Sequence, residues 1–470
     1  MAFWSQYNTL FRSERFGGFL YNAMSNCLLE LDQAHYDCLR QLENNPGHAE
    51  QGIGDAFFAL LREKHVLVEE EENEKLLMIK QYQRNCNCYG QKDLSLTICP
   101  TLACNFDCSY CFENSQHDTT VMSDETIDNL MKFIRERAGS GKVSLIWYGG
   151  EPTLAFDAIE TVTRRIFDEG PELESVQLVS NGFLLDKKHP DLFNDLKISN
   201  IQITLDGPQA IHDKRRKLHN GGTTYDRIIR NIDRLMDSSY NGSCDIRVNI
   251  DKRNMDLFIP LREQISDRYP KKKISVHASK LKTTQPWGLS ESEWITYCIK
   301  LYYDHGILTK SMFYPHSNET GLCVAHFNNM YVIGPSGELY KCWEDVGIPE
   351  MTIGNVNSKS PITKHHIQAQ YTIATDQYAH EECKACSFLP ICSEICPKTW
   401  LDSRKNSMSK HDGYCTHYKT HLYECMDVFY DNYLTAETGK KLLNKPVTPL
   451  ETYGYRIIQS SRGGLSDQAQ

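Results

Sequence analysis

The stretch Cys104-Asn-Phe-Asp-Cys108-Ser-Tyr-Cys111 places three thiols within eight residues, and a second group follows as Cys323, Cys342, Cys383, Cys386, Cys392, Cys396 and Cys415. Thiolates at such spacing are soft ligands suited to zinc or to iron-sulfur clusters. A four-iron cluster held by three protein thiolates keeps one iron open to an exogenous chelator, although a zinc knuckle would also use three. The central four thiols of the second group, Cys383 to Cys396, fit a structural zinc site as well. Eight of the eighteen cysteines lack ligand spacing (Cys27, Cys38, Cys86, Cys88, Cys99, Cys244, Cys298 and Cys425) and read as small apolar residues.

Three further segments carry polar groups that could receive a small molecule: Gly149-Gly150-Glu151-Pro152, Ser180-Asn181-Gly182 and Asp206-Gly207-Pro208. Glycines expose main-chain carbonyls to an ammonium group, Glu151 adds an acceptor, and Ser180 or Asn181 can hydrogen-bond a ribose or a carboxylate. Arg216, just after His212-Asp213, supplies a cation for a carboxylate. Singly, each is an ordinary turn or surface residue. Their order along the chain gives them weight.

The elements that must position these groups are six short β-branched runs at 94–98, 143–148, 176–179, 201–205, 246–250 and 274–277, alternating with amphipathic helices. This is the pattern of βα repeats on a parallel sheet. The three-thiol loop and the three polar segments each follow one of the first four runs, so they share one rim. In one intervening helix Ser123 is the cap, Asp124 and Glu125 fill the first turn, and Ile127, Leu130, Met131 and Ile134 form the apolar face. Six units are too few for an eight-unit barrel. The fold class expected is α/β, a partial (β/α)6 TIM-like barrel over 92–281 with its site at the carboxyl ends of the strands.

Ahead of it, 1–91 reads as a small winged-helix-like unit: strand-like pieces at 7–11 and 18–22, a helix at 32–42, a second helix from Asp55, an extended piece at 65–68, the acidic run Glu69 to Glu72, and a linker at 83–91. Residues 282–322 form a bridge and 323–436 a cysteine-rich domain that metal would organise. A helix runs beyond Met426 to about Leu434, and a tail at 437–470 is expected to be mobile.

The thiol loop and strand-end motifs together resemble the radical S-adenosylmethionine (SAM) superfamily. That resemblance implies a [4Fe-4S] cluster on Cys104, Cys108 and Cys111 whose open iron chelates SAM. Gly149, Gly150 and Glu151 would meet the methionine amino group, and Tyr110 the adenine. Ser180, Asn181, Asp206 and Arg216 would complete the site, with Ser180 and Arg216 addressing the carboxylate or ribose. SAM cleavage would yield a 5'-deoxyadenosyl radical that abstracts a substrate hydrogen.

The second cysteine group resembles the SPASM extension of such enzymes. It implies two auxiliary [4Fe-4S] clusters, three in all: one on Cys383, Cys386, Cys392 and Cys415, the other on Cys323, Cys342 and Cys396. The latter is one ligand short, a place for a substrate thiolate or for a ligand from elsewhere in the chain.

The 1–91 unit, with Gly17-Gly18-Phe19-Leu20-Tyr21-Asn22 as its most family-like stretch, resembles the recognition domain of enzymes that modify ribosomally made peptides. Such a domain binds a precursor's leader as an added strand. The reading is therefore a peptide maturase that installs a cross-link, a thioether first, in a precursor peptide, with flavodoxin or ferredoxin as electron donor. An anaerobic sulfatase maturase forming formylglycine is the alternative. Those enzymes place an Asp directly after the cysteine that here is Cys342, where this chain has Trp343, followed by Glu344 and Asp345. A rival of another class is a non-catalytic iron-sulfur electron carrier or a zinc-stabilised binding protein, neither of which needs Gly149 to Pro152.

Composition sets the bounds. The 470 residues, 40% hydrophobic and 24% charged, suit two to four globular domains. Basic residues number 51 against 61 acidic ones, a net charge of −10 that argues against general affinity for nucleic acid or anionic membranes. No apolar run reaches membrane-span length and the first residues lack a signal-peptide pattern, so a cytoplasmic location is expected. In that reducing compartment clustered cysteines serve metals rather than disulfides.

Overall fold

The computed structural model describes residues 2–44, 54–111, 118–187, 190–315, 323–392, 396–405, 415–438 and 455–458. The chain divides into two units, one built from Met1–Cys88, Ser290–His326 and Ile373–Gln468, the other from Tyr89–Leu289 and Phe327–Thr372.

In the first unit β1 (Phe3–Trp4) precedes an antiparallel meander of β2 (Asn8–Ser13), β3 (Gly17–Asn22) and β4 (Cys27–Leu31), and β5 (Leu67–Val68) returns to pair with β1. Two of these strands match the expected pieces, but β4 has no counterpart in the sequence reading. Every residue of Cys27-Leu-Leu-Glu-Leu31 is buried, so the alternation that marks a half-buried strand is missing. Helices Gln33–Asn44 and Asp55–Glu63 pack Leu39, Phe57 and Leu61 onto Leu20, Leu29 and Leu31. The linker expected at 83–91 is instead the end of a helix, Glu72–Gly90. It is held by Arg84, 1% exposed, whose Nε lies 3.6 Å from Asp376.

The second unit contains β6 (Leu94–Ile98), β7 (Phe106–Cys108), β8 (Val143–Trp147), β9 (Leu173–Ser180), β10 (Ile198–Thr204), β11 (Arg216–Leu218), β12 (Ser243–Ile250) and β13 (Ile274–Lys280). Strands β6, β8, β9, β10, β12 and β13 are the six expected runs, all parallel and paired in chain order. The sheet does not stop there. β14 (Met330–Ile333) pairs parallel with β6, and β15 (Glu338–Tyr340) and β16 (Gly354–Asn355) extend it antiparallel to nine strands. Part of the region read as cysteine-rich and metal-organised is therefore sheet. The helix Asp124–Ala138 forms as expected, with Ser123 Oγ accepting the Thr126 N–H at 3.2 Å.

The helix expected at 426–434 is longer, Tyr418–Thr438 with a kink at His421, and part of the tail expected to be mobile is a strand: β17 (Tyr455–Ile458), paired antiparallel with β4. The Arg462-Gly463-Gly464 stretch lies outside the described residues. Among the described residues no helix is long and apolar enough to cross a membrane.

Candidate active site

The three-thiol loop leaves the carboxyl end of β6 and is fixed by a short ladder. β7 pairs antiparallel with β11, which sets Cys108 opposite Arg216 and Phe106 opposite Leu218. Within the loop the Phe106 N–H donates to Cys104 Sγ at 3.4 Å, and the Cys111 N–H donates to the Cys108 carbonyl at 3.1 Å. Burial pushes the Cys104 thiol up to about 12. Burial also raises Cys108, against the nearby Arg216 charge. Buried thiols of this kind ionise when a cation faces them, so the loop suits a metal centre whose positive charge favours the thiolates. Cys111 is exposed.

The glycines after β8 serve the same loop. A Cβ on Gly149, whose φ is +119°, would lie 2.5 Å from the Thr101 carbonyl oxygen, and one on Gly150 would lie 2.3 Å from that of Leu102. Only glycine permits this approach. It lets the Gly150 N–H donate to the Thr101 carbonyl at 3.3 Å and the Glu151 N–H to that of Ala103 at 2.8 Å.

Glu151 in turn ties β8 to the end of β9. Its carboxylate is 0% exposed and accepts from Ser180 Oγ at 2.8 Å, the Asn181 N–H at 2.7 Å and the Thr153 N–H at 3.1 Å. Burial raises its pKa, while these hydrogen bonds oppose the shift. The Asn181 amide donates to Asn105 Oδ1 at 2.8 Å, so three of the sequence-marked segments are bonded to one another.

At the fourth segment the Asp206 carboxylate, also 0% exposed, accepts from Arg215 Nε at 3.0 Å. Arg215 continues to Asp251 at 2.7 Å and to the Asn249 carbonyl at 3.2 Å. Sequence reasoning singled out Arg216 and missed its neighbour. Arg216 Nη1 donates to Tyr110 Oη at 2.7 Å, and the Asn249 amide donates to the same oxygen at 3.2 Å. Burial raises the Tyr110 phenol, against the nearby Arg216 charge. Behind them His212, fully buried and with its pKa well below the usual value because of burial, accepts the Asp206 N–H on Nδ1 at 3.3 Å. Its Nε2–H is then free to donate to Thr224 Oγ1 at 3.1 Å, which donates to the Arg216 carbonyl at 2.6 Å. Neither Asn249, Asp251 nor Thr224 had a motif to mark it, and His212 stood only as the landmark ahead of Arg216.

In the first unit Cys383 lies in the helical turn Glu381–Lys384, Cys386 follows it, Cys392 caps the turn Leu389–Ile391, and Cys415 precedes the helix Tyr418–Thr438. The Cys386 N–H donates to the Cys383 carbonyl at 2.9 Å. Burial pushes Cys383 up to about 11, and Cys392 is raised by burial and then by Cys386, Cys383 and Cys415, so these four thiols lie within reach of one another's charge. Lys419 Nζ stands 3.7 Å from Cys415 Sγ. Burial disfavours its charge, but the surrounding thiolates raise its pKa overall. Among the described residues no group of three or more His, Cys, Asp or Glu closes on a single metal ion. Cys323 and Cys396 are in this unit, and Cys342 follows β15 in the other.

The sequence model of the Radical SAM superfamily matches residues 98–265, the segment that contains the thiol loop and the strand ends. The chain is 24% identical over 353 residues to a serine-type anaerobic sulfatase-maturating enzyme of Bacteroides thetaiotaomicron, covering 65% of this chain and 83% of that one. It is 24% identical over 366 residues to a cysteine-type anaerobic sulfatase-maturating enzyme of Clostridium perfringens, covering 69% and 94%. The fold is similar to that of the solved structure of anSMEcpe with bound AdoMet and Cp18Cys peptide, with a TM-score of 0.53 at 18% identity over 74% of this chain and 100% of that one. Residues 98–265 thus form a radical SAM domain, and the protein is a radical SAM enzyme.

Proposed function

We propose that this radical SAM enzyme oxidises a side chain within a peptide substrate. The observation that carries the reading is the bonded rim, in which the thiol loop is joined through Gly150 and Glu151 to Ser180 and Asn181, with Arg216 beside Cys108. Cys104, Cys108 and Cys111 would hold the [4Fe-4S] cluster that the family implies. Cluster and SAM, when bound, supply the radical chemistry that abstracts a substrate hydrogen. The chain's own residues do the positioning. Gly149 and Gly150 present main chain to the SAM amino group, Glu151 orients the Ser180 and Asn181 pair, and Tyr110 with Arg216 forms the wall toward the adenine and carboxylate. Asp206 acts through Arg215, holding the strand end on which Arg216 begins. Cys383, Cys386, Cys392 and Cys415 would hold one auxiliary cluster, with Lys419 offsetting its charge. A ferredoxin or flavodoxin would supply electrons.

The relatives favour one product, formylglycine made from Cys or Ser, since the likeness runs across 83% and 94% of two sulfatase-maturating enzymes. A cross-link in a ribosomal precursor is the second reading, and one feature favours it. The residue after Cys342 is Trp343, packed edge-on against Tyr148 at 5.0 Å, rather than a carboxylate. The next two acids are engaged: Glu344 pairs with Lys282 at 2.7 Å, and the fully buried Asp345 accepts from Tyr371. The N-terminal unit, a leader-recognition domain in this reading, adds to it.

Mass spectrometry separates the two. The reconstituted enzyme would be incubated anaerobically with SAM, a reductant and either a sulfatase-derived Cys or Ser peptide or a Cys-containing precursor peptide encoded beside the gene. Conversion of Cys to formylglycine removes sulfur, whereas a thioether removes two hydrogens and keeps it. SAM cleavage that no peptide stimulates, with neither mass change, would overturn the peptide reading.

A further inference from the structure

A parallel sheet covered on both faces is apolar on both, and the sheet of the second unit is not. On one face Leu178, Ile203, Ile246 and Val248 are 0% exposed. The other face carries Gln177, Gln202, Asp245, Arg247, Asn249 and His277, of which Asn249 is buried, Gln177 is exposed and the rest are half-buried. This polar face is the one beneath the thiol loop, because Asn249 donates to Tyr110 Oη at 3.2 Å. Below Asn249 no role assigned to the rim makes use of it.

Two charged side chains follow one another along this face of β12, and their surroundings differ. Asp245 is satisfied, with Oδ2 accepting from Asn200 Nδ2 at 2.8 Å and Oδ1 from Ser275 Oγ at 2.6 Å. Arg247 is not. Its Nε donates to Asn249 Oδ1 at 3.0 Å, which draws the guanidinium toward the rim, and among the described residues its two Nη groups have no hydrogen-bond or ion-pair partner. His277 is its partner across the β12–β13 pair. Burial, and then the Arg247 charge, hold the His277 imidazole below its ordinary value, with Asp245 opposing them, so the ring lies within reach of both charges. A guanidinium fork with both ends open beside an imidazole is a receptor for a planar carboxylate.

We propose that Arg247, with His277 beside it, receives the carboxylate of an Asp or Glu side chain of the peptide substrate and so selects peptides that carry an acid close to the oxidised residue. The inference rests on the reading of the substrate as a peptide. Arg247 lies two residues below Asn249, about 7 Å along a strand, and an extended peptide covers that span in about two residues. The acid is therefore expected within about three residues of the oxidised one. Through Asn249 the same guanidinium is bonded to Tyr110, and Tyr110 to Arg216, so a carboxylate seated there bears on the wall assigned to SAM.

The test uses the reconstituted full-length protein with SAM and, as probes, synthetic peptides with a central Cys, acetylated and amidated at their ends, in which each of the three positions on either side is in turn Glu, Gln or Lys and the others are Gly or Ala. The capped ends leave the side chain as the one carboxylate. Affinity selection read by mass spectrometry measures binding without turnover. The wild type should retain the Glu peptide of at least one position about tenfold over its Gln counterpart, the return from a charge-assisted hydrogen bond. Arg247→Gln should abolish that preference, Arg247→Glu should turn it toward Lys, and His277→Ala should weaken it. Unchanged iron content and circular dichroism establish that the variants are folded. No preference for Glu at any position, or a preference that survives Arg247→Gln, overturns the proposal. So does a loss of SAM affinity in that variant with peptide selection unchanged, which would assign Arg247 to SAM. Because selection is read as binding, its failure leaves the peptide oxidation read by mass untouched. Peptides held by their acid but never modified would end the functional reading while the carboxylate subsite stood.

Discussion

In the second unit the buried carboxylates of Asp206 and Asp251 meet the guanidinium of Arg215, at 3.0 and 2.7 Å, and the thiol of Cys108 stands across a strand pair from Arg216. In the first unit the cysteines at 383–392 sit on short helical turns, and burial together with their own mutual repulsion raises Cys392. Lys419 is the cation named beside them. The rim around the three-thiol loop is thus held by sheet register, close glycine contacts and paired charges within the chain. Among the described residues the cysteines at 383–392 sit on short helical turns rather than on strands.

The largest effect that tests this contrast follows from removing thiols. Replacing Cys104, Cys108 and Cys111 by Ala should abolish SAM cleavage while leaving the parallel sheet intact by circular dichroism, because the loop is held by main-chain bonds. Replacing Cys383, Cys386, Cys392 and Cys415 should instead loosen the fold around them. Amide hydrogen exchange would be measured on both variants. If the two regions lose protection equally, or if strand 94–98 exchanges faster than 381–392, the contrast is wrong.

Next in size is the buried charge network. Arg215→Met strands the carboxylate of Asp206 while Asp251 keeps Arg253 at 2.7 Å, and breaking a buried pair in this way costs about 3–5 kcal/mol. Arg216→Met should cost less stability and more SAM affinity, because Arg216 bonds Tyr110 at the rim rather than a buried acid. Chemical denaturation and equilibrium SAM binding on both variants would measure the split. A reversed pattern would move Arg215 into the binding site. Gly150→Ala is smaller again, about 1–3 kcal/mol, because its Cβ would press on the Leu102 and Ala103 carbonyls, at 2.3 and 2.5 Å. Its SAM affinity should fall with the loop displaced. Wild-type affinity would mean that the loop yields freely.

The adjacent arginines also show where sequence reading stops. Arg215 closes the helix Gln209–Arg215 and Arg216 opens β11, so successive side chains leave the backbone in opposite directions, and no one-dimensional pattern says which turns inward. The six parallel strands were legible because β-branched runs alternated with amphipathic helices. Their ends were not: β9 starts at Leu173 and β12 at Ser243, where polar residues carry the strand beyond its apolar centre. The glycines after β8 were legible as glycines, yet the carbonyls they accommodate belong to a loop some 48 residues earlier. β4 was hidden by burial on both faces. β17 was hidden by its length, since Tyr-Arg-Ile-Ile becomes a strand only against an edge that already exists.

The smallest effect comes from the carboxylate that the first unit leaves without such a partner arrangement. Burial pushes the Asp427 carboxyl from its ordinary 3.8 to about 6, against the Ser13 hydrogen bond and the Arg15 charge that lower it. A folded-state pKa above the unfolded value means that the ionised form opposes folding. The cost is complete above about pH 6, shrinks as the pH falls and the folded state takes up its proton, and is gone below the unfolded pKa near 4. Asp427→Asn should therefore raise stability by roughly 1–2 kcal/mol at pH 8, after allowance for solvent screening, with the gain fading between pH 6 and 4. Asp206, bonded to Arg215, supplies the opposite control, since Asp206→Asn should destabilise across the same range. Thermal melts of both variants from pH 4.5 to 8 would read the difference. A gain at Asp427 that does not change with pH would have to come from packing or from the Ser13 hydrogen bond, and the contrast between the Arg215-paired acids and this half-buried one would then not extend to this helix.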